Sequence, residues 1–291
     1  MKLKKFSMAV TLFAVTIFML SIDTNARGAV SRDQATYSDA EMDRMIAQQY
    51  KALREAYNTA DAFKLTKKVD KIDSFLIDFS FDPLADKKIT FIGDSITAGN
   101  GGTITPDGTK RGYPDYIAQY TDATIVNLGI GGAQVSGDSS KAIVNRYEQI
   151  PEDSDIIVFF AGINDFLNEN VSCGSESHDD EGTFYGDTKT CFEGISERYP
   201  DADVYVVTTY HNRLEDYTAY SGKNMKQFMT ALTELARDYG FHIIDLYEEG
   251  FLNTNHILVR NAFFTDDIHP DDLGAEVLGR HILMHLERQY R

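Results

Sequence analysis

Lys87-Lys88-Ile89-Thr90-Phe91-Ile92-Gly93-Asp94-Ser95-Ile96-Thr97-Ala98-Gly99 is the stretch from which the fold of this 291-residue chain is read. An apolar, β-branched run ends in Gly-Asp-Ser, and small residues follow. The pattern predicts a strand buried on both faces that empties into a tight turn and presents one hydroxyl. Ser95 is the candidate nucleophile, and the other sites are judged by whether they can serve it.

Working outward, the pattern of residues 89–92 returns at 124–128, 155–160, 203–208 and 241–246. These short runs are rich in Val, Ile, Phe and Tyr and mostly continuously apolar, as strands covered on both sides are. The segments between them are long enough for crossover helices, predicted at 113–120, 139–149, 187–199, 224–239 and 271–290. Alternating strands and helices predict a three-layer α/β/α sandwich with a mostly parallel five-stranded sheet. In such sheets the active groups sit on loops at the carboxyl ends of the strands. A hydrophobic content of 43% is enough for one sizeable domain, placed at 85–291, plus an appendage.

The N-terminus has a different organisation. Lys2, Lys4 and Lys5 precede an apolar, nearly uncharged run over 6–20, and Thr24-Asn25-Ala26 supplies small residues for cleavage. This is the layout of a secretory signal peptide, assigned to 1–26. The run is shorter than the ~20 residues a membrane span needs, so an uncleaved anchor is the alternative and no stable membrane insertion is expected after signal removal. The basic start directs the remainder out of the cytoplasm, to a secreted or cell-surface location. Residues 27–84 are read as an N-terminal helical extension. The capping box Ser38-Asp39-Ala40-Glu41 precedes Met42, Met45, Ile46, Tyr50, Leu53 and Tyr57 at helical spacing. Lys64, Lys67, Lys68 and Lys71 form a basic cluster on this extension, read as a solvated helix face.

The formal charge is −17, and the first 26 residues carry three lysines against one aspartate, so the exported body is more acidic still. Such a body repels nucleic acid and anionic membrane surfaces and favours solubility. There are two cysteines, Cys173 and Cys191, in a Gly/Ser/Asp/Glu-rich region without periodicity. Export favours a disulfide between them, worth roughly 3 kcal/mol by chain entropy. The insertion they would close begins near Asn164 and is expected to wall the substrate pocket.

The strand ends carry the polar groups. Gly93-Asp94-Ser95 follows the first, Gly129-Ile130-Gly131-Gly132-Ala133 the second, Gly162-Ile163-Asn164-Asp165 the third and Thr209-Tyr210-His211-Asn212 the fourth. Thr265-Asp266-Asp267-Ile268-His269-Pro270 precedes the last helix. A serine needs a base, and the base needs an orienting group. Asp266 and His269, three apart, share one side of a turn, so the carboxylate can hold the imidazole. Asp267, two from His269, should face elsewhere. Donors for an oxyanion are the Gly132 N–H, the Asn164 side-chain amide and the Ser95 N–H at the start of a predicted helix. His211 is a candidate for lining the same rim and contacting substrate.

Taken in order, Gly93-Asp94-Ser95-Ile96, Gly132, Gly162-Ile163-Asn164-Asp165 and Asp266-Asp267-Ile268-His269 resemble the four motif blocks of the GDSL/SGNH hydrolases over residues 85–291. The resemblance implies a flavodoxin-like fold and an esterase, lipase, thioesterase or carbohydrate acetylesterase. It implies Ser95 as nucleophile, His269 as base, Asp266 as its orienter, and Ser95, Gly132 and Asn164 as the oxyanion hole. Ile96 stands where the family name has leucine, and Gly129 and Gly131 lie close enough to Gly132 to compete for its place.

Other templates fit poorly. An α/β-hydrolase elbow needs Gly-x-Ser-x-Gly, and here Thr97 follows Ile96. His211, His242, His256 and His269 show no His-Glu-x-x-His spacing, and Gly99-Asn100-Gly101-Gly102 lacks the lysine of a phosphate loop and reads as a flexible connector. No metal or cofactor is implied. The expectation is a secreted serine esterase that removes short acyl groups, such as acetyl, from an extracellular glycan or similar ester. A lipase or thioesterase, an O-acyltransferase with the same triad, and a non-catalytic glycan- or wall-binding protein are the alternatives.

Overall fold

Five strands form one sheet, β1 (Lys88–Gly93), β2 (Thr124–Gly129), β3 (Ile156–Phe160), β4 (Asp203–Val207) and β5 (His242–Ile244), in the order β2-β1-β3-β4-β5. Every pairing is parallel. This is the flavodoxin-like strand order, in which β1 and β3 diverge at the topological switch point. The computed structural model describes residues 82–106, 108–215 and 223–290. Residues 82–291 form one compact unit. Its first residues join the sheet domain through the Asp82 carboxylate, which accepts from the Thr121 hydroxyl at 2.8 Å and the Asp122 N–H at 2.6 Å. The expected signal segment, and the extension up to residue 81, lie outside the described residues.

The continuously apolar runs have the cause inferred for them. On β3, Ile157 and Phe159 enter the cluster formed with Phe184, Phe192, Phe228 and Leu232 on one side of the sheet. Phe160 points to the other side, where its ring lies 5.8 Å from Tyr113. All five β3 residues are buried. Each large side chain buried this way contributes about 1.5–3 kcal/mol of transfer free energy. Helices α1 (Tyr113–Ile117) and α7 (Asp272–Gln289) pack together on one face. Helices α3 (Phe184–Arg198) and α4 (Met225–Asp238) pack together on the other. Shorter helices α2 (Ile163–Leu167), α5 (Leu246–Glu249) and α6 (Ile257–Phe263) complete the unit. Thr183, Asn224 and Asp271 cap α3, α4 and α7 by accepting from the Gly186, Lys226 and Gly274 N–H groups at 2.9–3.0 Å. Among the described residues no helix is long and apolar enough to cross a membrane.

Four expectations are corrected. The segment 139–149 is not a crossover helix but two 3₁₀ turns, Ile143–Asn145 and Tyr147–Gln149. Its Ile143 and Val144 N–H groups bond the Gln134 and Val135 carbonyls, and Arg146 between the turns leaves helical geometry to reach buried carbonyls. The region between the cysteines is only partly a loop. Its second half is α3, whose Phe184, Phe192 and Ile195 are buried in the core. Cys173 and Cys191 are free thiols, so the expected disulfide is not formed. The Cys173 carbonyl is bonded by the Tyr185 N–H at 2.8 Å, in the first turn of α3. Cys191 lies six residues farther on, about 9 Å along the helix axis, beyond disulfide reach. Lastly, Ser95 is followed by successive turns rather than a helix. The Ala98 N–H bonds Asp94 O at 2.9 Å and the Asn100 N–H bonds Ser95 O at 2.8 Å, and the pattern stops there.

Candidate active site

The register aligns the strand ends. Gly93 lies opposite Gly129 on β2 and Phe160 on β3; Phe160 lies opposite Val207, and Val207 opposite Ile244. The loops leaving these residues therefore start from one row, and three of them, with the loop before α7, supply the site.

Ser95 is buried to 4% exposure in the turn after β1. Its Oγ lies 2.9 Å from His269 Nε2, across 174 residues of sequence. His269 Nδ1 lies 2.7 Å from Asp266 Oδ2. Asp266 Oδ1 accepts from the Ile268 and His269 N–H groups at 2.8 and 2.6 Å, so the carboxylate is fixed while its second oxygen faces the ring. Burial alone would raise the Asp266 carboxyl, but these bonds hold it below the usual carboxylate range. The arrangement is therefore a hydroxyl, an imidazole and an ionised carboxylate in line. Asp267 turns away as expected, toward Arg260 Nε at 3.5 Å.

The loop that carries the imidazole is tied on several sides. The Tyr210 hydroxyl donates to Ile268 O. The Thr254 hydroxyl donates to Asp267 O at 2.7 Å, and the Thr265 N–H donates to His269 O at 3.0 Å. The expected flexible connector at 99–102 is instead a packed turn against this loop. A Cβ on Gly101 would lie 2.3 Å from Pro270 O and 3.1 Å from the His269 Cβ, and φ is +101°. Only glycine fits there without moving the base.

The donor side is built by a second pair of loops. Asn164, in the first turn of α2, donates from Nδ2 to Ala133 O at 2.9 Å. That bond sets which end of the amide faces the Gly131–Gly132 turn and leaves the second N–H of the group for another acceptor. Gly132 has φ +74°, and nothing lies within 4 Å of where its Cβ would be. Neither the Ser95 N–H nor the Gly132 N–H has an acceptor among the described residues.

Two residues that sequence reasoning passed over hold these pieces in place. Asp165 is wholly buried and accepts from the Val135 N–H at 2.9 Å, the Ser136 N–H at 3.0 Å and the Ser136 hydroxyl at 2.6 Å. It ties the loop after β2 to the Asn164 turn. Burial pushes its carboxyl up to about 6 despite these bonds. Arg146 is 2% exposed and spreads its guanidinium over three carbonyls, Lys141 O at 2.8 Å, Leu128 O at 2.7 Å and Gly93 O at 2.8 Å. Gly93 ends β1, two residues before Ser95, and Leu128 is the penultimate residue of β2. Asp165 stood in a quoted motif, whereas Arg146 sits in a segment whose only visible signal was a buried-looking helix period. Asp94, beside Ser95, is wholly buried, with Oδ1 accepting from the Ile96 N–H at 2.9 Å. Burial pushes its carboxyl up to about 7.

His211 follows β4, and its carbonyl accepts from the Thr254 N–H at 2.9 Å. Its ring packs on Tyr247 at 3.9 Å between centroids, and Nδ1 lies 3.0 Å from Glu215 Oε1. Burial alone would raise Glu215, but the bonds from His211, Tyr247 and the Asn212 N–H hold it below its usual range.

Comparison with known proteins gives the family and the fold. The model of the GDSL-like lipase/acylhydrolase family matches residues 91–277. A protein of Lactobacillus plantarum is 27% identical, with a TM-score of 0.61 over 69% of this chain and 97% of that one. A protein described as a possible lipase from Chitinophaga pinensis is 17% identical, with a TM-score of 0.55 over 69% of this chain and 98% of that one. One described as a GDSL-like lipase from Parabacteroides merdae is 18% identical, with a TM-score of 0.52 over 72% and 99%. At these identities the last two share the fold. No curated protein matches the chain. The family match covers most of the chain and spans the Gly93-Asp94-Ser95 turn, the Asn164 turn and the Asp266–His269 loop. The chain belongs to the GDSL-like lipase/acylhydrolase family.

Proposed function

We propose that the protein is an exported serine esterase that releases short acyl groups, acetyl among them, from an extracellular glycan or similar ester. The observation that carries the catalytic part is the Ser95–His269–Asp266 chain, with its 2.9 and 2.7 Å links. Ser95 Oγ attacks the ester carbonyl while His269 Nε2 takes its proton, and the imidazolium hands that proton to the departing alcohol. Asp266 keeps the Nδ1–H tautomer and stabilises the imidazolium. Water, deprotonated by the same His269, then attacks the acyl-enzyme, and the carboxylic acid leaves with Ser95 restored. The Ser95 and Gly132 N–H groups and the Asn164 amide receive the charge that develops on the carbonyl oxygen. Export rests on the basic start and apolar run at the N-terminus, and an external ester follows from export.

The test is turnover of p-nitrophenyl acetate and of an ester panel, short against long acyl chains and simple alcohols against acetylated polysaccharide, by the wild type and Ser95→Ala. Ser95→Ala should lose acyl release and keep the fold; retained turnover in a pure sample sinks the assignment. Activity that rises steeply with acyl length would make the protein a lipase or thioesterase. Acyl transfer to added sugars would make it an acyltransferase. An absence of labelling by a fluorophosphonate probe would leave the glycan-binding reading.

A further inference from the structure

Away from the Ser95 site, the C-terminal helix carries two histidines one turn apart. His281 and His285 lie at i and i+4 on α7, so their rings share a face. Glu249, the last residue of α5, meets them there. Its Oε2 lies 3.1 Å from His281 Nε2, and the two imidazole rings are 5.0 Å apart between centroids. One donor atom from each of Glu249, His281 and His285 lies within 4.8 Å of the other two.

We propose that Glu249, His281 and His285 form a binding site for one divalent transition-metal ion of the zinc class, which clamps α7 to the end of α5. A second observation is independent of the grouping. His285 Nε2 is shut off from solvent and has no hydrogen-bond partner among the described residues. A buried imidazole nitrogen normally finds a partner, and an ion at this position would be one. The donor set is also selective. Two imidazoles and one carboxylate suit zinc, cobalt or nickel, whereas calcium and magnesium prefer all-oxygen cages. A tetrahedral ion with bonds of about 2.0–2.1 Å places its ligand atoms about 3.3 Å apart, so only small side-chain movements are needed. Phe251 stacks on His281 at 4.2 Å and fixes the ring plane. Glu249 keeps 30% of its side chain exposed, which leaves an entry path. Three protein ligands leave a fourth position for water.

The site escaped the sequence because its carboxylate comes from another helix, over thirty residues upstream, in no His-Glu-x-x-His order. It does not depend on the esterase reading. The test titrates the chelator-treated full chain with Zn²⁺, counts bound metal after gel filtration, and repeats the titration with Co²⁺, read by its visible d–d spectrum. One ion per chain is expected, with a higher melting temperature in its presence. His285→Gln and Glu249→Gln should each weaken binding beyond the ~10–100-fold that losing a merely supporting residue costs, and should abolish the thermal shift. His269→Gln should bind as the wild type does, which separates this site from the Ser95–His269 pair. Melting of each variant without metal verifies that it folds. Lack of saturable binding by the wild type, or binding that survives His285→Gln, overturns the proposal.

Discussion

Arg146→Met tests whether the turn that presents Ser95 is supported by this side chain. The guanidinium makes three bonds, of 2.7–2.8 Å, to Lys141 O, Leu128 O and Gly93 O. Hydrogen bonds from a charged donor are worth ~1.5–3 kcal/mol each. Methionine fills nearly the same volume with no donor. Gly93 O keeps the Ile130 N–H at 3.1 Å, so its loss is smaller than at the other two carbonyls. Against this, the variant no longer buries a charge, which returns part of the energy. The net cost expected is about 2–5 kcal/mol, from two carbonyls left unsatisfied at ~1–3 kcal/mol each and a smaller loss at Gly93 O, less the relieved charge burial. Lysine keeps the charge but offers one nitrogen in place of a fork, so it cannot span carbonyls from three segments. Arg146→Lys should therefore lie between, at roughly half the loss. Urea unfolding of the three proteins at one pH, fitted with a shared slope, measures both values. Turnover of p-nitrophenyl acetate should fall in the same order, because Gly93 immediately precedes the Asp94-Ser95 turn. Arg146→Met within about 1 kcal/mol of the wild type would refute the reasoning, and Arg146→Lys equal to the wild type would refute the role of the fork.

Two further outcomes follow from the same geometry. Asn164→Ala should lower kcat by ~10²–10³-fold with little change in KM, the loss typical of one oxyanion donor; a change confined to KM would remove Asn164 from that role. Asp94 controls a pH dependence of stability. Its carboxyl is raised by burial from 3.8 to about 7, so the folded chain holds a proton that the unfolded chain has released. Its contribution is fully present below the lower value and is lost as pH rises to the upper one, a change on the order of 4 kcal/mol. Asp165 adds a smaller loss of the same sign that ends at about 6. Asp94→Asn should flatten the fall in urea midpoint between pH 5 and pH 7.5, and an unchanged slope would remove Asp94 as its source.

How much was legible follows the range of each signal. Runs such as 89–92 and 155–160 are apolar without alternation because helices cover both faces, and that property is written into consecutive residues. All five strands were found this way, with ends shifted by at most a few residues. The Asp266–His269 pair was legible because three residues separate the carboxylate from the ring. The helix expected at 139–149 failed because periodicity reports which residues are buried and not where their backbone N–H groups bond. Ile143 and Val144 bond across to Gln134 and Val135, and Arg146 bonds strand ends far away in sequence. The cysteines misled for a related reason. Their spacing fits a closed loop, but a helix that begins between them carries Cys191 out of reach.

The sequence by itself determined the strand segments, the sandwich class and the residue types at each strand end, because burial on a covered sheet and the spacing of Asp266 and His269 are local properties. Only the tertiary structure decided that Ser95 meets His269, that Asp165 and Arg146 brace the loops around them, and that Glu249 comes to His281 and His285. Those meetings depend on the sheet order and on how α7 packs back across the domain, and contacts between distant segments leave no periodicity in either one.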